Sequence, residues 1–130
     1  MAALVASWSK DASTQVGAVI VDAKNRVVSV GYNGFPRGVE DVVLDRDEKL
    51  RRTIHAEENA LLFACSHVEG CTVYVTHHPC SRCAAKLIQS GIARVVYRST
   101  MSEKWAEEVA SADAMFEESS VCFHQIDAAA

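Results

Sequence analysis

The chain has 130 residues, 49% of them apolar and 23% charged, the profile of an ordinary globular protein expected to form a single domain over 1–130. Thirteen Lys and Arg against seventeen Asp and Glu leave a net charge of −4, which argues against a general coat for DNA or RNA, where a basic excess supplies the affinity. No apolar run approaches the roughly 18 residues that a bilayer span needs.

Residues 1–8 are apolar but carry neither a basic leader nor a cleavage-site pattern, so they are read as a helix. The runs at 16–21 (VGAVIV) and 27–32 (VVSVGY), joined by DAKNR, predict a β-hairpin buried on both faces. Residues 33–53 show no period. They hold Gly34, Pro36 and Gly38, an acidic stretch (Glu40, Asp41, Asp45, Asp47, Glu48), then Arg51 and Arg52, and are expected to serve as a lid, a binding loop or an interface, with a solvated surface loop as the alternative. A buried helix is predicted over 55–67, a strand over 72–76, and a helix over 81–90 that Gly91 stops. A strand over 93–97, a helix over 102–116 and a strand over 120–123 complete the pattern. Five strands alternating with helices imply an α/β domain, a three-layer α/β/α sandwich around one mixed five-stranded sheet.

Five cysteines, an odd and unevenly spaced set, do not make a secreted disulfide framework. A reducing, cytoplasmic setting is expected, in which Cys65, Cys71 and Cys122 fill the core, and Trp8 and Trp105 serve as core or subunit-contact residues. His67 and His124 are read as structural or surface residues, and His77 and His78, just before Pro79, as exposed or standing behind a site's own residues, with contact to the ring of a bound base as the alternative.

Cys80 and Cys83 are different. Three positions apart at the start of a helix, behind Pro79, they share one face, and the helix N-terminus favours their thiolates. His55, opening the other helix, supplies a third ligand. Three protein ligands around a tetrahedral zinc ion leave one position open, the mark of a catalytic centre. Glu57, in the first turn after His55, is placed to exchange protons with a water there: a general acid/base. Cations or bare N–H groups are needed if a substrate carries phosphate. Ser9, Lys10 and Ser81 are candidates, with Arg51, Arg52 and Arg98 as rivals. Ser81 has an alternative as a helix cap. Ala56, between ligand and acid, is counted with the substrate contacts, and so is Asn33, which offers both donor and acceptor; its alternative role is to tolerate a left-handed turn before Gly34.

His-Ala-Glu followed by Pro-Cys-Ser-Arg-Cys is the signature of the zinc nucleobase deaminases. Ser9-Lys10-Asp11, Gln15-Val16-Gly17-Ala18, Gly31-Tyr32-Asn33-Gly34 and His55-Ala56-Glu57-Glu58-Asn59-Ala60 precede Pro79 to Cys83 in the order seen in deoxycytidylate (dCMP) deaminases, and the chain resembles that family over most of 1–97. The resemblance weakens beyond, where members often differ over 100–105. It implies hydrolysis of dCMP to dUMP and ammonia, feeding thymidylate synthesis, with one zinc per chain. It further implies a homohexamer activated by dCTP and inhibited by dTTP, Mg²⁺ accompanying the triphosphate. Gly31, Tyr32, Asn33 and Gly34 are the stretch associated with effectors in the family, and in the related fold an asparagine at the position of Asn33 touches substrate. Deaminases of tRNA adenosine, of free cytosine or cytidine, of guanine or of the riboflavin pathway share the signature, and a bifunctional dCMP/dCTP enzyme is a closer rival. A non-enzymatic structural zinc module would need a fourth protein ligand, which the motifs do not offer.

Overall fold

A computed structural model describes residues 1–126 except Asp41, Val43, Leu44 and Met101. Gly17–Val21 (β1) and Val27–Tyr32 (β2) form the antiparallel hairpin, with a register shift between Ile20 and Val21. Its turn is organised by Asp22, whose Oδ1 accepts from the amides of Lys24 and Arg26, and by Asn25 in the left-handed region at φ 61°. Thr72–His77 (β3) pairs antiparallel with β1, and Arg94–Ser99 (β4) and Cys122–Gln125 (β5) add in parallel, giving the order β2-β1-β3-β4-β5. The sheet is mixed and five-stranded, as the sequence pattern predicts.

Ala2–Ala6 (α1) covers one face, where Val5 packs on Val19 and Val21. Ala56–Leu62 (α3), Ser81–Gln89 (α4) and Ala106–Glu118 (α5) share the other, where Ala60, Leu87 and Phe116 pack with Ile20, Val73 and Val95. Helices therefore lie on both faces, one against three. Among the described residues, no helix is long and apolar enough to cross a membrane.

Several expectations need correction. Only β1 is buried on both faces; β2 is the sheet edge, and Val27 and Tyr32 are exposed. Helix α3 stops at Leu62, and Leu62 and Phe63, expected inside, face solvent. Arg46–Arg52 is a helix (α2) within the stretch read as aperiodic, and Asp45 caps it by accepting from the Glu48 amide. A 3-10 turn (Glu103–Trp105) precedes α5, which extends to Glu118. Cys71 is buried as expected, but Cys65 and Cys122 are exposed; Trp8 is not in the core of the chain but exposed, meeting Tyr32 edge to face, which leaves its other expected place, a subunit contact.

The topology gathers one end of the sheet into a site. Because β1 runs against β3, its first residue, Gly17, lies near the end of β3: its amide donates to Thr76 Oγ1. Gly17 also pairs with Tyr32 at the end of β2. The chain segments around Val16, Asn33, His77, His78 and Thr100 thus converge, and the first turns of α3 and α4 arrive there. Ligand sites outside the carboxyl ends of parallel strands are a general outcome of such sheets.

Gly31 sets the height of α3. A Cβ there would sit 2.4 Å from both the Ala56 carbonyl oxygen and the Ala60 nitrogen, which are backbone atoms that cannot swing aside. Gly34, three residues on, has nothing within 4 Å of the same construction. Gly31→Ala is therefore expected to lower stability in urea titration by about 1–3 kcal/mol, the cost of overpacking, whereas Gly34→Ala stays within roughly 0.5 kcal/mol.

Candidate active site

Two helix N-termini meet at the end of the sheet. His55 is the N-cap of α3 and Cys80 the N-cap of α4, both with extended backbone. Besides meeting the first turn of its own helix, where the Cys80 sulfur takes the Cys83 amide, each of these cap side chains turns toward the other. Glu58 compensates at α3: its Oε1 accepts from the His55 amide at 3.0 Å, while its other oxygen pairs with Lys86 of α4. That ion pair ties the two helices together beside the site.

His55 Nδ1 lies 3.2 Å from Cys83 Sγ and 3.4 Å from Cys80 Sγ. Both sulfurs are buried, and the donor atoms of the three residues all lie within 4.8 Å of one another. Tetrahedral zinc, with bonds of ~2.0 Å to nitrogen and ~2.3 Å to sulfur, sets N···S edges of about 3.5 Å, so the donor set fits this ion in both chemistry and spacing. Hydrogen bonding from the Cys83 thiol pulls the Cys80 pKa down to about 4, against the opposing effect of burial. The same contact, with burial, holds the proton on Cys83. Cys80 also raises His55. A pair of thiols that already shares one proton is half prepared for a divalent cation.

Glu57 is 4% exposed and borders a cavity of about 420 Å³ next to this cluster. Burial raises its pKa to about 7, outweighing the attraction of His55. A buried carboxyl whose pKa is raised toward neutrality beside a cavity suits a general acid/base.

Ala56 is also on the cavity wall and fully buried. Asn33 lines it as well, with its side chain spanning the chain: Oδ1 accepts from the Val16 amide at 2.8 Å and Nδ2 donates to the Thr14 carbonyl at 2.9 Å. Its φ is not positive, so the left-handed-turn alternative falls away. Ser9 is buried away from the wall, its hydroxyl donated to the Asn33 carbonyl. Lys10 borders an adjoining cavity of about 390 Å³, with Gly34 and Phe35. Ser81 follows the N-cap instead of being it, and both its amide and hydroxyl donate to Glu108 Oε1. Gly31 is filled over by α3, and Tyr32 is exposed at the sheet edge. Arg51 and Arg52 both pair with Glu48. His77 and His78 line the cavity.

Arg46, Lys49 and Lys104 line the main cavity and did not emerge from the sequence reading. Lys49 pairs with Asp11 at 3.0 Å; Arg46 and Lys104 make no ion pair among the described residues. The pattern Asp45-Arg46-Asp47-Glu48 carried a helix-start signal that would have placed Arg46 and Lys49 on one face three apart. Trp105, expected in the core or at a subunit contact, is half-buried on the same wall.

Comparison with known proteins agrees with this geometry. Residues 1–99 match the family model described as the cytidine and deoxycytidylate deaminase zinc-binding region. An uncharacterised deaminase of Aliivibrio fischeri is 51% identical over 127 residues, covering 93% of this chain and 85% of its own. The human deoxycytidylate deaminase is 39% identical over 136 residues, covering 96% and 75%. The crystal structure of a dCMP deaminase from cyanophage S-TIM5, in complex with dCMP and dUMP, superposes with a TM-score of 0.82 at 24% identity, covering 96% and 90%. That superposition shows the shared fold. The two helix N-termini, with their histidine, cysteines and buried glutamate, belong to a chain that is a member of the cytidine and deoxycytidylate deaminase family.

Proposed function

We propose that this enzyme hydrolyses dCMP to dUMP and ammonia, with His55, Cys80 and Cys83 holding one zinc ion and Glu57 moving the protons. One observation carries the reading: a buried glutamic acid borders the same cavity as a three-ligand cluster and three cationic side chains. Zinc held there by His55, Cys80 and Cys83 would supply a nucleophilic water at neutral pH, its pKa lowered to about 7. Glu57, buried on the wall of the same cavity, is placed to accept a proton from that water and to deliver one to N3 of the pyrimidine and then to the departing amine. The water's oxygen ends on C4, and the C4–N bond breaks to release ammonia. Asn33, held by Thr14 and Val16, keeps a second amide hydrogen for the substrate. Arg46, Lys49 and Lys104 suit the 5′-phosphate, which favours a nucleotide over a free base or nucleoside.

The names of the relatives support the same substrate: deoxycytidylate deaminases of mouse and human stand at 40% and 39% identity. The adjoining cavity shares Asp11, Ser13, Arg46, Lys49 and Thr53 with the main one, which favours dCTP as the second nucleotide to test, whether as substrate or as effector beside Gly34. A homohexamer regulated by dCTP and dTTP, with Mg²⁺ accompanying the triphosphate, extends the reading along the family resemblance. Sigmoidal dCMP kinetics that become hyperbolic with dCTP test it. Unpaired cysteines at all five positions suit a cytoplasmic enzyme.

Ammonia release measured over dCMP, dCTP, deoxycytidine, cytosine and a tRNA stem-loop is expected to favour dCMP. A preference for unphosphorylated cytosine compounds overturns the assignment. Lys104→Ala and Arg46→Ala are expected to raise KM for dCMP by roughly tenfold, the worth of one charge-assisted contact, and to leave deoxycytidine turnover unchanged. Glu57→Gln is expected to keep stoichiometric zinc and to lose about three orders of magnitude in kcat.

Glu57 also predicts a pH signature in the metal-free protein. Its pKa is raised from 4.5 to about 7 by folding, so between these values the folded form keeps a proton that the unfolded chain has lost. Stability therefore falls as pH rises through that window and levels off above it. Glu57→Gln removes the penalty: its stability advantage over the wild type should grow from pH 4.5 to 7 and plateau at roughly 3 kcal/mol, read by urea unfolding in chelator.

A further inference from the structure

Helix α5 lies beyond the segment matched by the family model, yet two of its carboxylates reach the turn that presents Cys80. Glu108 Oε1 accepts from the Ser81 hydroxyl at 2.8 Å and from the Ser81 amide at 3.2 Å. Asp113 Oδ1 lies 2.7 Å from Nε2 of His78, whose Nδ1 lies 2.8 Å from the Pro79 carbonyl oxygen. His78 is 2% exposed, and its ring stands edge-on to Tyr97 with centroids 4.5 Å apart, so it cannot turn without breaking both contacts.

Cys80 sits between these two anchor points. As N-cap of α4 its sulfur is turned toward His55, and the Ser81 amide, at the first helical position, finds its acceptor in another helix. The carboxylate that satisfies it also suits the positive end of α4. Fixing the residue before and the residue after Cys80 to one rigid thirteen-residue helix leaves the cysteine backbone little freedom. We propose that Glu108 and Asp113 are positioning residues, a two-point clamp by which α5 holds Cys80 in ligand geometry. The inference rests on the reading that His55, Cys80 and Cys83 bind zinc. Groups that orient metal ligands typically change affinity by about 10–100-fold when removed.

The test is zinc affinity of the purified full chain, by competition with a chromophoric chelator, together with the visible spectrum of the cobalt-loaded protein. Glu108→Ala and Asp113→Ala are each expected to raise the zinc Kd by at least about tenfold and to alter the cobalt bands. Glu108→Gln and Asp113→Asn, which keep an acceptor oxygen, should stay near the wild type in both. If an alanine variant fails to fold, Ser81→Ala, which deletes only the hydroxyl contact, replaces it, with a roughly threefold weakening expected. Zinc affinity and cobalt spectrum unchanged in these variants, with equal losses of thermal stability in the metal-free and zinc-loaded forms, reduce the clamp to ordinary packing and overturn it. Cys80→Ala separates the two readings. If it binds zinc as well as the wild type, the metal site itself is wrong and the clamp falls with it; if it loses zinc while the α5 variants do not, the clamp alone is wrong.

Discussion

The approach of His55 Nδ1 to two cysteine sulfurs, at 3.2 and 3.4 Å, is the constraint around which the rest is arranged. It demands that two helices from distant parts of the chain start at one point. The sheet provides this, because β1 pairs antiparallel with both β2 and β3, which brings the ends of those two strands to one end of the sheet. Gly31 lets α3 lie directly on β2, and the Glu58–Lys86 pair ties α3 to α4. Each device acts on backbone placement, where an error of an ångström would separate imidazole from sulfur.

Glu57 shows the cost of such a site. Nothing about folding benefits from a carboxyl that is 4% exposed with its pKa lifted to about 7. The fold tolerates it because β1, with five buried residues, and the cluster from Ile20 to Phe116 supply stability elsewhere. Burial that weakens the metal-free protein is also what raises the carboxyl's proton affinity toward neutrality, so stability and the proposed proton transfer pull on the same side chain in opposite directions.

What could be read in advance follows from the range over which each signal acts. His55, Glu57, Cys80 and Cys83 were legible because residue type and helix-start spacing are local and the chemistry needs those atoms. The strands were legible from their β-branched runs. Burial was less so: Cys65 and Cys122 sit in apolar surroundings in sequence but not in space, and β2 is an edge strand only because β3 pairs with the other side of β1. Helix α2 lacks an apolar stripe, with no buried residue among Arg46–Arg52, so its period was masked although Asp45 and Glu48 marked its start. Lys104 reaches the cavity through the 3-10 turn ahead of α5, a tertiary placement that no local pattern encodes.

Charge illustrates the same distinction between sum and place. The chain is acidic overall at −4, which is unfavourable for a polyanion that contacts a broad surface. A mononucleotide presents its charge at one point, and there the local balance decides. Arg46, Lys49 and Lys104 face the main cavity against Asp11, Glu57 and the Cys80 thiolate; Asp11 is already committed to Lys49, and Cys80 to His55 and Cys83. Glu57, raised to about 7, carries much less than a full negative charge at neutral pH. Arg46 and Lys104, which make no ion pair among the described residues, therefore bring positive charge to the cavity of a chain that is negative in sum, the local field that the proposed nucleotide substrate calls for.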